Sequence, residues 1–219
     1  MTTTQSLSAA QMKKASQEDL FRYADQIPQA LWDDLRNRSP QQVAEAVGAA
    51  WDGTLFKVPV IGIEYAVDPD KKQITESGRA DHRVSYQTGV VLLTTLATSK
   101  GVPPSGRMVV PQELPGGRMF FTGAHAVAAG PLARAFNQDP GQLIDRALAV
   151  GGEMIDGADT AIRIPGLPNV PLYVLFWEGD QPSSARAVIG IDDRAHFHLD
   201  LASVFALTNL LAYRLCRAG

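Results

Sequence analysis

The chain has 219 residues, of which 45% are hydrophobic, with a formal net charge of −3 and a sequence pI near 5.8. This length and composition suit one globular domain with a sizeable core and room for a helical appendage. The lysines are scattered. Nucleic-acid binding is therefore not expected, because it requires clustered positive charge to neutralise phosphates.

The cysteine content limits which disulfides and metal clusters the chain can form, and the apolar runs limit whether it can span a membrane. Cys216 stands alone, so this chain cannot form an internal disulfide, a four-cysteine zinc site or an iron–sulfur cluster by itself. The start of the sequence lacks the basic-then-apolar order of a signal peptide. The apolar run "GVVLLTTLA" is about half as long as a membrane span. We therefore expect a soluble, cytoplasmic protein without a membrane span.

The amino-terminal part of the chain predicts helices. Residues 1–15 are small and polar, and we expect them to form a frayed tail. Residues 16–53 carry apolar side chains at helical spacing, which predicts a helical segment. Pro28 should kink or divide this segment, and Ser39 followed by Pro40 should open its second helix.

The hydrophobic period changes at the start of a domain that we predict over residues 54–219. The stretch "TLFKVPVIGIEYAVDPDKKQITESG" predicts a hairpin with its turn at "DPDKK", and Pro59 indicates a sheet edge or a bulge. "SYQTGVVLLTTLATSKG" is apolar on most sides. This predicts a buried central helix that ends at Gly101.

Short strands and helices follow in the second half of this domain. "VPPSGRMVVPQELPGGRMFFTG" predicts two strands around a turn, and "GPLARAFNQDPGQLIDRALAVGG" predicts two short helices. "DTAIRIPGLPNVPLYVLFWEGD" and "ARAVIGID" predict further strands, and Asp200 should cap the last helix. Strands gathered between helices without strict alternation favour an α+β fold. We expect a single antiparallel or mixed sheet packed against helices, with a helical N-terminal extension.

Three stretches resemble, in order, an uncharacterised prokaryotic family, the domain of unknown function numbered 3786: "KGVPPSGRMVVPQELPGG", "GPLARAFNQDPGQLIDRALAVGGE" and "GLPNVPLYVLFWEGDQPSSARAVIGID". The resemblance covers roughly residues 54–216. Several members of that family carry, beside this domain, an iron–sulfur module like that of corrinoid iron–sulfur proteins. The resemblance therefore implies anaerobic redox or corrinoid metabolism as context, and it supplies no catalytic residue.

His196, His198 and Asp200 stand at alternate positions just before the last helix. Two imidazoles at i and i+2 project to the same side of a strand, as at the start of several metal sites, so both are candidate ligands of zinc, iron, nickel or copper, or of a tetrapyrrole cofactor. A structural interpretation is the alternative: Asp200 caps the helix, and both histidines lie at a partly solvated strand end. Acid–base chemistry by the histidines is a third interpretation.

Glu178 and Asp180 end an apolar strand directly after Trp177. Such carboxylates can form an acid–base pair or bind a cation, so both are candidate catalytic residues, with Trp177 as a candidate cofactor contact. The alternative is a plain turn in which Asp180 bonds local amides. If the flanking strands form a hairpin, Glu178 and His196 lie about 20 Å apart at opposite ends, so a joint site is not expected.

His125 lies in the small-residue loop "FTGAHAVAAGP". Small residues let a ligand approach the backbone, and a lone histidine can be an axial ligand for haem iron or cobalt. The alternative is that this loop only turns the chain.

No complete catalytic motif is present in the sequence, which favours a binding or accessory protein over an enzyme. Such a protein would hold a small molecule, a metal ion or a tetrapyrrole or corrinoid-type cofactor, or dock a redox partner. One alternative is a metal-dependent enzyme that uses Glu178 with Asp180, or His196 with His198. Another is a structural subunit of a larger complex.

Overall fold

The computed structural model describes residues 23–79, 81–179 and 185–217, and these form an α+β fold. The predicted fold class is confirmed. The strands form two antiparallel sheets, where the sequence had predicted one. They separate because the first four strands are joined by short turns and pair with one another, and a long helix intervenes before the next strand. The tail predicted over residues 1–15 lies outside the described residues.

The helices among the described residues are α1 (Gln29–Arg36), α2 (Pro40–Val47), α3 (Tyr86–Thr98), α4 (Gly117–Phe120), α5 (Ala129–Phe136), α6 (Pro140–Ala149) and α7 (Leu201–Cys216). The strands are β1 (Ala50–Trp51), β2 (Phe56–Val60), β3 (Ile63–Asp68), β4 (Gln73–Glu76), β5 (Met108–Val109), β6 (Glu153–Met154), β7 (Thr160–Leu167), β8 (Val170–Trp177) and β9 (Arg186–Asp192).

Proline and glycine set the boundaries of the first helices. Pro28 divides the N-terminal segment as predicted, with a 3-10 turn at Ala24–Gln26 before it and α1 after it. α2 follows Ser39 and has Pro40 in its first turn, where a missing N–H costs nothing. It ends at Gly48, whose φ of 74° is left-handed.

The first sheet has the order β1-β2-β3-β4, and the stretch for which one hairpin was predicted forms two, β2–β3 and β3–β4. The predicted turn joins β3 to β4, and the Asp68 carboxylate accepts the N–H groups of Asp70 and Lys71 there. A second turn, at Ile61–Gly62, joins β2 to β3. Pro59 lies in β2 beyond the two residues that pair with β1. The predicted edge position is therefore confirmed.

The Ile61–Gly62 turn connects the two sheets. Ile61 has a φ of 46°, a left-handed conformation that costs a β-branched residue about 1–2 kcal/mol. Its N–H donates to Gly166 O in β7 at 3.0 Å, and its carbonyl accepts from Arg214 Nη1 of α7 at 3.1 Å. The Ile61 side chain is 1% exposed. Burial and these two bonds offset the backbone strain.

The second sheet has the order β5-β9-β8-β7-β6. Trp177 pairs with Arg186 and Leu172 with Ile191, so the predicted β8–β9 hairpin is confirmed. The strand predicted after the "ELPGG" turn is wrong, because α4 occupies that place. Gly117 begins α4 so close to the carbonyl of Pro111 that no side chain fits.

α3 and α7 pack side by side at the centre of the fold, as their apolar composition predicts. Leu92 and Leu96 of α3 and Leu207 and Leu211 of α7 are fully buried. The prediction of a buried central helix is confirmed. Within the described ranges, no helix combines the length and apolarity that a membrane crossing needs.

We expect Gly62→Ala to lower the free energy of unfolding by more than about 2 kcal/mol, because strain and a clash with the backbone add together. A Cβ at Gly62 would lie 2.9 Å from Val150 Cα. Gly78 has a similar φ of 78°, and a Cβ added there would meet nothing within 4 Å. Gly78→Ala is therefore a matched control and should cost only about 1 kcal/mol. Urea denaturation measures both variants. An equal loss of unfolding free energy in the two would show that the Ile61–Gly62 turn is loosely packed against Val150.

Candidate functional site

His196 lies in a 3-10 turn, Ala195–Phe197, and His198 follows this turn directly, before α7. β9 already ends at Asp192, so the predicted placement on a strand is wrong. In a helix of three residues per turn, positions i and i+2 point to different sides. His196 is accordingly exposed, whereas His198 is 1% exposed. The two imidazoles therefore do not face a common point.

His198 is bonded at both ring nitrogens. Nε2 lies 2.8 Å from Val102 O, and Nδ1 lies 2.8 Å from Ser99 Oγ. Burial lowers the pKa of His198, against the opposing effects of the Val102 carbonyl and the Asp192 carboxylate. The predicted partly solvated position is wrong for this residue. Metal binding by His198 would require breaking one of these internal hydrogen bonds.

His196 is held more loosely. Its Nδ1 lies 2.9 Å from Asp193 O, and its ring packs against Phe197 with a centroid distance of 4.1 Å. Within the three described ranges, no cluster of three or more His, Cys, Asp or Glu side chains could hold a metal ion. Metal binding by His196 and His198 stays a prediction.

Asp200 caps α7, as the sequence predicts. Its Oδ1 accepts the N–H of Ser203 at 2.7 Å, so this carboxylate already stabilises the positive end of the helix. The structural interpretation of Asp200 is therefore confirmed.

Asp192 is a buried carboxylate that no local sequence pattern indicates. It is 0% exposed. Its oxygens accept the N–H groups of Ser105 at 3.1 Å, Gly106 at 2.8 Å and Arg194 at 3.0 Å. These amides come largely from a loop far away in the chain, so only the tertiary fold identifies the residue. Its neighbour Asp193 has a pKa lowered first by a hydrogen bond from Ser105 and also by Arg107.

Glu178 lies at the opposite end of the β8–β9 hairpin from the histidines. Trp177 pairs with Arg186, six residues before Asp192, so the two ends are about 20 Å apart along the strands. The predicted separation of Glu178 from His196 is therefore confirmed. Asp180 lies outside the described residues, and the Glu178–Asp180 pair stays a prediction.

Trp177 and Glu178 have local partners at this end of the hairpin. The Arg186 guanidinium lies 4.3 Å from the centroid of the Trp177 ring, a cation–π contact. The backbone N–H of Glu178 donates to Asp159 Oδ2 at 2.9 Å, which ties the strand end to the preceding loop.

His125 is exposed and lies among aromatic rings. It stacks on Phe120 with centroids 4.6 Å apart and planes inclined by 24°, and its ring meets Phe205 edge to face at 5.3 Å. Met119 beside Phe120 is 89% exposed. We call these four residues the His125 face. The sequence indicated His125 through its small-residue loop, but nothing local pointed to Phe205, which comes from α7.

His125 differs from His196 and His198 in its hydrogen bonding. His198 is bonded at two ring nitrogens and His196 at one, whereas His82 Nε2 lies 3.8 Å from Glu76 Oε2, which is an ion-pair contact beyond hydrogen-bond distance. Neither ring nitrogen of His125 has a hydrogen-bond partner among the residues that the structure describes. Its imidazole therefore retains both nitrogens for an external group.

The structure thus defines an α+β protein with two antiparallel sheets, a buried histidine junction and one exposed imidazole on an aromatic face. The chain belongs to the family described as "Domain of unknown function (DUF3786)", whose model matches residues 39–214. The resemblance that the sequence suggested is confirmed, and the match begins at residue 39, earlier than expected. No curated protein and no solved structure matches the chain.

We expect Asp200→Ala to lower the free energy of unfolding by about 1 kcal/mol, because the Ser203 N–H loses its acceptor. Asp200→Asn is the matched control, since asparagine also caps helices well. Urea denaturation at neutral pH measures both. An unchanged stability in the alanine variant would contradict the role of Asp200 as a cap.

We expect the stability of the protein to fall as the pH drops through and below about 6.5, the pKa of an unperturbed histidine. The folded state lowers the pKa of His198, so the unfolded chain binds this proton at a higher pH than the folded chain does. Stability is then highest above that window and is lost on acidification. His198→Gln should flatten this part of the pH profile, measured by urea denaturation. His196→Gln, which changes an exposed ring, should keep most of this pH dependence, because burial and not His196 is the largest cause of the lowered His198 pKa.

Proposed function

We propose that this protein is a binding protein and not an enzyme, and that His125 serves as an axial ligand for a planar metal-containing molecule of the tetrapyrrole or corrinoid type. The observation that carries the proposal is the His125 imidazole, exposed on the His125 face with both nitrogens unpaired among the described residues. Histidine is a common axial ligand of haem iron.

The surroundings of His125 fit such a ligand. Phe120 and Phe205 fix the ring by stacking and edge contact, which reduces the rotational entropy that ligation would cost. Both phenyl rings are half-buried, and Met119 is 89% exposed, so the rim beside the imidazole is apolar. A macrocycle would cover this apolar surface when bound. The metal would supply the redox chemistry, and these side chains would supply binding and orientation.

The face is open, which supports an accessory role. A ligand bound at an exposed imidazole keeps its far side accessible to a second protein. We therefore propose that the protein presents its cofactor to a redox partner in the cytoplasm, within the anaerobic metabolism that the family resemblance implies.

Spectroscopic titration with ferric protoporphyrin IX and with cobinamide, a corrinoid that lacks its own axial base, tests the proposal. We expect saturable binding with the absorbance shift of imidazole ligation. His125→Ala should abolish the shift and weaken binding at least about tenfold. His196→Ala is the matched control, because His196 is also exposed and should leave the titration unchanged.

Two outcomes would contradict the proposal. One is an absorbance shift that persists in His125→Ala. The other is equal binding of metal-free protoporphyrin IX, which would mean that the face only stacks with flat molecules. Metal retained after oxygen-free purification, and lost in His196→Ala but not in His125→Ala, would instead favour the metal-dependent enzyme.

A further inference from the structure

The hydroxyl of Ser99 has two acceptors within reach. Ser99 Oγ lies 2.8 Å from His198 Nδ1 and 2.9 Å from Ala46 O. A hydroxyl carries one proton, so it can donate to only one of these acceptors at a time. Which one it serves depends on whether His198 Nδ1 is itself protonated.

We propose that His198 and Ser99 form a proton-operated switch at the junction of α2, α3 and the 3-10 turn before α7. With a neutral imidazole, Nε2–H donates to Val102 O and the Ser99 hydroxyl donates to Nδ1. When Nδ1 takes up a proton, it donates to Ser99 Oγ, and the hydroxyl proton turns to Ala46 O. The imidazolium then keeps an acceptor for each of its two N–H groups.

Ala46 O is suited to this role because it lies at the C-terminal end of α2, where carbonyls have no partner within the helix. In the neutral state it still accepts the side-chain N–H of Asn169 at 3.0 Å. Ser99 Oγ additionally lies 3.4 Å from the N–H of Gly101, which can donate to it in either state. Both protonation states therefore satisfy the buried polar groups, and this allows the proton to enter without unfolding the junction.

The charged groups around the ring set the pH at which the switch operates. The Asp192 carboxylate at the end of β9 favours the charged imidazole, and His196 on the same 3-10 turn opposes it. Arg38, which precedes α2, donates to Ser99 O at 2.9 Å and so brings a further positive charge to this junction. Desolvation is the largest effect and lowers the pKa of His198. The switch therefore operates on the acidic side of an ordinary histidine.

Nitrogen NMR of histidine-labelled protein over a pH titration tests the switch. At neutral pH we expect the His198 signals of the tautomer that carries its proton on Nε2. In Ser99→Ala the charged ring loses the acceptor for Nδ1–H, so its titration should move to lower pH by about one unit. Ser99→Thr keeps the hydroxyl and should restore the original midpoint. His198→Gln identifies the His198 signals by their loss.

Asn169→Ala provides a second test, in which the His198 titration midpoint should move in the opposite direction. This test does not depend on whether Ser99→Ala folds. Without the Asn169 amide, Ala46 O depends on the Ser99 hydroxyl. The neutral ring then competes for that proton, so protonation becomes easier and the midpoint should rise. A neutral ring protonated on Nδ1 would overturn the proposal. So would a midpoint that stays fixed, or falls, in Asn169→Ala.

Discussion

The last carbonyls of α2 and α3 have no partner within their own helices, and the arrangement of the rest of the structure depends on how other residues bond them. A helix cannot bond its own last carbonyls, and buried ones need partners from elsewhere in the chain. Arg38 donates to Leu96 O and Ser99 O of the α3 end, and Asn169 donates to Ala46 O of the α2 end. The N-terminal helices, the central helix and the β7–β8 turn are thereby fixed at one point.

His198 completes this junction from the other side of the fold. Its ring bonds Ser99 and the Val102 carbonyl, and its own carbonyl accepts the hydroxyl of Thr98. Leaving one such group unsatisfied in the interior costs about 1–3 kcal/mol. These bonds position the 3-10 turn, the cap at Asp200 follows two residues later, and the start of α7 is set. The place of Phe205 on the His125 face is thus linked to polar contacts remote from it in sequence.

Local sequence patterns predicted those features whose causes are local. A long apolar stretch identified α3, and capping or turn residues such as Pro40 and Asp200 identified the starts of α2 and α7. The prediction that His196 and His198 lie on a strand was wrong. Alternating residue types over five positions look the same in the sequence whether the backbone forms a strand or a 3-10 turn. Ser99 and Val102, which bond His198, lie almost a hundred residues before it in the chain. Ser105, which bonds Asp192, is similarly remote from that residue. Such pairings arise from the tertiary fold, and no window of sequence contains them.

A histidine can serve a ligand only with nitrogens that the fold does not already use, and this separates His198 from His125. His198 uses both nitrogens at the junction, so the ring can respond to protons but offers nothing to a metal without breaking the fold. His125 is held by ring contacts, which orient its imidazole, and no residue in the described part of the chain bonds its ring nitrogens. The fold thus holds the His125 ring by stacking and the His198 ring by hydrogen bonds. A ring bonded at both nitrogens, like that of His198, has none left for a ligand from outside, whereas a ring held by stacking keeps both.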